Sequence, residues 1–189
     1  NFINVKELED KINFAFFTSV GGVSKNEYRS LNCSKNNKDL KNNVKTNINI
    51  AKNKLKIRDK KLKLINQLHS NKILNVNIKN FKKEMYGDGL LTENKNIALG
   101  VLTADCAPIF IFDTTKNIIC CLHSGWKGTL NNIVKNAVKK ITNKKVNKKN
   151  IIAVIGPCLG YKNYEVDKKF KTKFIKKNKL YKNFFLSKN

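Results

Sequence analysis

Between Leu62 and Leu122 the chain carries six short apolar runs in close succession: Leu62 to Leu68, Ile73 to Ile78, Leu90 to Thr92, Ile97 to Thr103, Pro108 to Phe112 and Ile118 to Leu122. Each is strand-sized, and several are continuous rather than alternating, as expected of strands covered on both faces. A seventh, Ile151 to Ile155, ends at Gly156-Pro157. Nearer the N-terminus, Ile12 to Thr18 mixes β-branched and aromatic residues and stops at Gly21-Gly22, which predicts a strand running into a tight turn.

Helical periodicity brackets these runs. Leu40, Val44, Ile48, Ala51 and Leu55 recur at three- and four-residue intervals and predict a helix over about Lys38 to Leu55. Ile133, Val134, Ala137, Val138 and Ile141 form one face of a second helix over Thr129 to Ile141, with Thr129 as its expected N-cap. Asp167 to Lys177 reads as a third, lysine-rich helix that packs through Phe170 and Phe174. The length, 189 residues, suits one domain, and a hydrophobic fraction of 41% is enough for one core.

Composition narrows the class. No run approaches a membrane span, so a soluble protein without a membrane partner is expected. The stretch Asn1 to Glu7 lacks the features of a secretory signal, and a start at Asn1 without methionine leaves room for residues upstream. Five cysteines, an odd number with Cys120 and Cys121 adjacent, suit reduced thiols and a cytoplasmic location. The net charge of +26 would ordinarily suggest a polyanionic partner. Against that, arginine appears only as Arg29 and Arg58, and the lysines are scattered among asparagines with no basic stripe of interleaved aromatics. No specific nucleic-acid partner is expected.

The residues that can do chemistry are few. His69 and His123 are the only histidines; they and Cys106 are each placed by the sequence at the end of an apolar strand. Two imidazoles and a thiolate suit zinc, and three protein ligands would leave a fourth position open for water or substrate. The alternative is two ordinary histidines and a core cysteine. After His123, Ser124-Gly125-Trp126-Lys127-Gly128-Thr129 leads from strand to helix, where Gly125, Gly128 and Lys127 offer an anion-binding turn. Equally, the glycines simply make the turn and Trp126 fills core. Among the scarce carboxylates, Asp105 precedes Cys106 and can orient a ligand or carry a proton. Asp88, in Gly87-Asp88-Gly89, reads as a turn residue, and Glu165 as a charge in a helix's first turn. Cys158, in Gly156-Pro157-Cys158, is ambiguous.

Taken in order, the segments resemble a known family. Phe16-Phe17-Thr18, Gly21-Gly22-Val23-Ser24 and Tyr28-Arg29-Ser30-Leu31-Asn32 are followed by Gln67-Leu68-His69 and Asp88-Gly89-Leu90-Leu91-Thr92. Then come Thr103-Ala104-Asp105-Cys106-Ala107-Pro108, His123-Ser124-Gly125-Trp126-Lys127-Gly128, and Gly156-Pro157-Cys158 with Tyr164-Glu165-Val166. This order is similar to the YfiH-type laccase-domain family, also called multicopper polyphenol oxidase-like purine nucleoside phosphorylases. The Thr-Ala-Asp-Cys and His-x-Gly-Trp blocks are the specific ones, and the similarity runs from about Phe14 to Val166.

The resemblance implies an α/β fold of mixed β-sheets sandwiched by helices, in one domain over residues 1–189 that lacks the family's C-terminal segment. It implies zinc on His69, Cys106 and His123, with copper ranked behind it. It also implies phosphorolysis of adenosine and methylthioadenosine, and adenosine deamination. Within that frame Lys127, with Gly125 and Gly128, is expected to contact phosphate, while Asp105 or Glu165 carries protons around Cys106 and His123. Two departures stand out: Ser19 follows Phe-Thr where the family usually has arginine, and Lys127 replaces the arginine usual in the Gly-Trp block. Three other functions compete. One is a thiol hydrolase with Cys106 as nucleophile and His123 as base, acting on cell-wall precursors. The others are a basic nucleic-acid binder and a copper oxidase; for the last, three donors fall short of a multicopper cluster.

Overall fold

A computed structural model describes residues 2–3, 8, 12–113 and 115–186. Apart from Phe2 and Ile3, the N-terminal stretch considered for a signal lies outside the described residues. The apolar runs become strands that form one large and two small sheets. The large sheet has the order β4-β5-β8-β7-β9, from Ile73–Asn75 (β4), Gly89–Thr92 (β5), Ala107–Asp113 (β7), Ile119–Ser124 (β8) and Ile151–Ile155 (β9). Only β4 and β5 run parallel; the other neighbours are antiparallel. A parallel pair, β3 (Lys61–Leu64) with β6 (Ile97–Gly100), and an antiparallel pair, β1 (Phe2–Ile3) with β2 (Phe16–Phe17), make the small sheets.

Strand alternation divides the side chains of the large sheet between two cores. On one face Leu91, Ile109, Ile111, Cys120 and Leu122 meet Ile133, Ala137 and Ile141 of the helix α3 (Ile133–Thr142). These three helical residues are spaced four apart, lie on one stripe and are fully buried, each isoleucine contributing about 1.5–3 kcal/mol. On the other face Leu90 packs with Ile65, Val76, Met85 and Ile97, and Phe110 stacks on Phe16 at 4.9 Å between centroids. Both faces are therefore covered, as the unbroken apolar runs predict. Beside Phe110, a cavity of about 1430 Å³ opens among Phe14, Phe16, Leu62, Leu64 and Phe112.

Helix α1 (Lys41–Lys54) falls inside the expected span and is held by a polar anchor. The fully buried Asn47 donates to Ser24 Oγ and to the Ser30 and Asn32 carbonyls and accepts from the Val23 amide, fixing the turn at Gly21-Gly22. Gly21 has φ 99°, and a Cβ on Gly22 would lie 2.2 Å from the Ser30 carbonyl oxygen.

Three expectations need correction. The helix expected from Thr129 to Ile141 is two helices, α2 (Trp126–Leu130) and α3, separated at Asn131-Asn132. Asn132 takes the left-handed conformation, φ 61°, which asparagine adopts at less cost than most residues. Thr129 is consequently no N-cap: it lies inside α2, and its hydroxyl donates back to the Gly125 carbonyl. Second, the segment 12–18 contributes only Phe16–Phe17 as strand. Third, the strands expected to reach Leu68 and Thr103 stop at Leu64 and Gly100. There the Gln67 amide takes over the backbone's pairing, donating to the Leu102 carbonyl and accepting from its N–H, both at 2.8 Å. The two segments then part as loops. Among the described residues no helix is long and apolar enough to cross a membrane.

Candidate metal centre

Sheet register assembles the site. In the β5–β8 ladder Gly89 pairs with Leu122, so the next position sets Asp88 opposite His123, whose amide donates to the Asp88 carbonyl at 2.8 Å. On the other side of β8, Pro108 pairs with His123 and Ala107 with Ser124, which leaves Cys106 opposite Gly125. The third arm is the loop after β3, which carries His69 with φ 55°. His69 thus belongs to a loop and His123 to a strand, while Cys106 immediately precedes one.

The ligand atoms of His69, Cys106 and His123 all lie within 4.8 Å of one another, and the two imidazole rings stand edge to face. His123 is buried, Cys106 half-buried and His69 exposed, so the cluster is closed on the sheet side and open outward. Gly125 lets the backbone pass against it: a Cβ there would sit 3.0 Å from Cys106 Sγ, 3.1 Å from His69 Cδ2 and 3.7 Å from His123 Cε1. Two imidazoles and a thiol at this spacing fit a transition-metal ion. The cavity beside Phe110 is lined by none of the three donors.

Charge at the site is set by burial and by two carboxylates. Burial pushes the Cys106 thiol up, and Asp105, Asp88 and Cys158 add to the shift, so without a cation the thiol form is favoured. Asp88 is fully buried, which by itself raises its pKa. Hydrogen bonds from the Ser70 hydroxyl and amide, from His123 and from the Leu68 amide outweigh that and hold it below the usual carboxylate range. The Asp88 carboxylate accepts from the His69 amide at 3.0 Å and is hydrogen-bonded to His123 Nδ1 at 2.8 Å. This residue, assigned to a turn on sequence grounds, is the site member that sequence reasoning missed. The available signal was a carboxylate between two glycines in a chain with only 13 acidic residues.

The other expected residues distribute around the trio. Asp105 is exposed next to Cys106, its carbonyl accepting from the Leu159 amide, which brings Cys158 alongside. Glu165 is exposed on the segment leading into α4 (Lys168–Lys177). Its neighbour Tyr164 is closer to the chemistry: burial, then Cys106, then Asp105 raise the pKa of its hydroxyl. Lys127 is exposed on α2, its Nζ 5.5 Å from the centroid of the Trp126 ring. Phe170 of α4 packs on the same indole at 5.0 Å, with Lys173 at 5.4 Å. Gly128 is required by close packing, since a Cβ would meet the Ser70 carbonyl at 2.9 Å.

Residues 13–189 match the family model described as multi-copper polyphenol oxidoreductase laccase. Over 150 residues the chain is 38% identical to a Rickettsia conorii protein named purine nucleoside phosphorylase, covering 77% of this chain and 61% of that one. Among solved structures, YfiH of Bacillus licheniformis is 28% identical, with a TM-score of 0.81 over 93% of this chain and 69% of its own. YlmD from Geobacillus stearothermophilus is 26% identical, with a TM-score of 0.78 over 84% of this chain and 62% of its own. The chain spans about three fifths of the length of the curated relatives it matches.

Proposed function

The chain belongs to the multi-copper polyphenol oxidoreductase laccase family, and from that premise we propose that it acts as a zinc-dependent purine nucleoside phosphorylase. Adenosine and methylthioadenosine are its proposed nucleosides, with adenosine deamination as a side activity. The observation that carries this reading is the convergence of His69, Cys106 and His123 at an open-sided cluster. The Rickettsia relative's name supports the reaction class. Zinc held by these three residues supplies Lewis acidity at the mouth of the site.

The protein's own groups would do the rest. Lys127 lies exposed on α2, two residues after Gly125, and is proposed to hold phosphate, with the backbone at Gly125 and Gly128. A phosphate oxygen bonds to the ribose carbon as that carbon's bond to the purine nitrogen breaks. Asp105 or Glu165 delivers the proton the departing base requires. Cys106 and His123 serve as metal ligands.

Zinc fits better than copper for two reasons. The chain has only two histidines, too few for a multicopper cluster. Its one methionine, Met85, packs in the core with Ile65, Val76, Leu90 and Ile97, so no thioether is placed to serve as the axial ligand of a blue-copper site. A second reading draws on Asp88, His123 and Cys106, which line up as a carboxylate–imidazole–thiol set. The third donor, His69, favours the metal.

Zinc-loaded protein incubated with adenosine and phosphate should release adenine and ribose phosphate, with a smaller yield of inosine, and a chelator should stop it. Absence of all these products would sink the proposal. Hydrolysis of a cell-wall precursor that survives chelation but is lost when iodoacetamide modifies Cys106 would establish the thiol hydrolase instead.

A further inference from the structure

The Asp88 carboxylate gathers five protein donors. Oδ1 accepts from the His69 amide at 3.0 Å and is paired with His123 Nδ1 at 2.8 Å. Oδ2 accepts from the Ser70 amide at 2.5 Å, the Ser70 hydroxyl at 2.6 Å and the Leu68 amide at 3.3 Å. Three consecutive amides of the His69 loop therefore converge on one buried side chain, and that side chain is cross-strand neighbour to the other histidine. The loop needs such a hold because His69 has φ 55°, a conformation costly for any residue with a Cβ.

We propose that Asp88 is a positioning residue for both imidazole ligands, fixing His69 through the backbone of its loop and His123 through the proton on Nδ1. The inference rests on the reading of the trio as a metal site. Both carboxylate oxygens face donors, so a proton on either would meet an N–H or O–H, and the proton of the His123 contact belongs to the imidazole. That leaves Nε2 of His123 with its lone pair, the tautomer able to bind a cation. Neither asparagine nor alanine serves both histidines. Asparagine would turn its NH₂ toward either the loop amides or the ring N–H, and alanine would leave all five donors without their acceptor.

Two measurements decide it. In metal-free protein carrying ¹⁵N-labelled histidine, His123 should show the Nδ1–H tautomer with a slowly exchanging proton, the His69→Gln variant assigning the two rings. An Nε2–H tautomer at His123 would overturn the proposal, whether or not any variant folds. In Co²⁺ titrations followed by thiolate-to-cobalt absorption, Asp88→Asn should weaken binding by about 10- to 100-fold and alter the band. Wild-type affinity and an unchanged band in a folded Asp88→Asn protein would refute Asp88's role alone. A wild type that gives no cobalt band would remove the metal reading, and this proposal with it.

Discussion

A single missing Cβ illustrates how closely the site is built. Gly125 has φ −74° and ψ 172°, a conformation open to every residue, so the backbone does not call for glycine there. What excludes a side chain is the crowd of Cys106, His69 and His123 atoms within 3.7 Å of where the Cβ would stand. Gly125→Ala should therefore lower metal affinity by about tenfold or more, because a displacement of a few tenths of an ångström is imposed on two ligands at once. Its thermal midpoint should stay near wild type, the strain being confined to the open side of the site. Competitive titration against a chromophoric chelator measures the first effect and a melt the second. Unchanged affinity would mean that Cys106 and His69 move aside freely.

The junction of α2 and α3 shows how a local choice sets the path of an element. A continuous helix from Trp126 could not both start against the cluster and bring Ile133, Ala137 and Ile141 onto the large sheet, and the left-handed turn at Asn132 makes the change of direction. The Asn131 carbonyl is in turn tied to the Asn71 side chain, on the segment that carries His69. Asn132→Val places a β-branched residue at φ 61° and should cost about 1–2 kcal/mol, whereas Asn132→Gly should be close to neutral. Urea denaturation midpoints of the two variants provide the comparison, and equal stability would show that the junction relaxes.

For the molecule as a whole, 39 basic residues against 13 acidic ones give a surface that repels itself. Raising NaCl from about 20 mM to about 300 mM shortens the screening length severalfold and should raise the thermal midpoint. A midpoint that falls or stays level would mean that the lysines are already neutralised locally. The charge is spread over several elements: α1, α3 and α4 each carry two lysines in the last turn.

By itself the sequence determined where the strands of the large sheet lie, that both its faces are covered and the span of α1, because continuous apolar runs and a 3.6-residue period are written in neighbouring residues. It also marked His69, Cys106 and His123 as candidates, since reactive residue types are scarce in this chain. Only the tertiary structure decided that these three converge, that Gly125 makes room for them and that the Asp88 carboxylate contacts both the His69 backbone and the His123 ring. The reason is physical: convergence depends on cross-strand register and on where β3 and β6 part, and those are properties of pairings between distant segments.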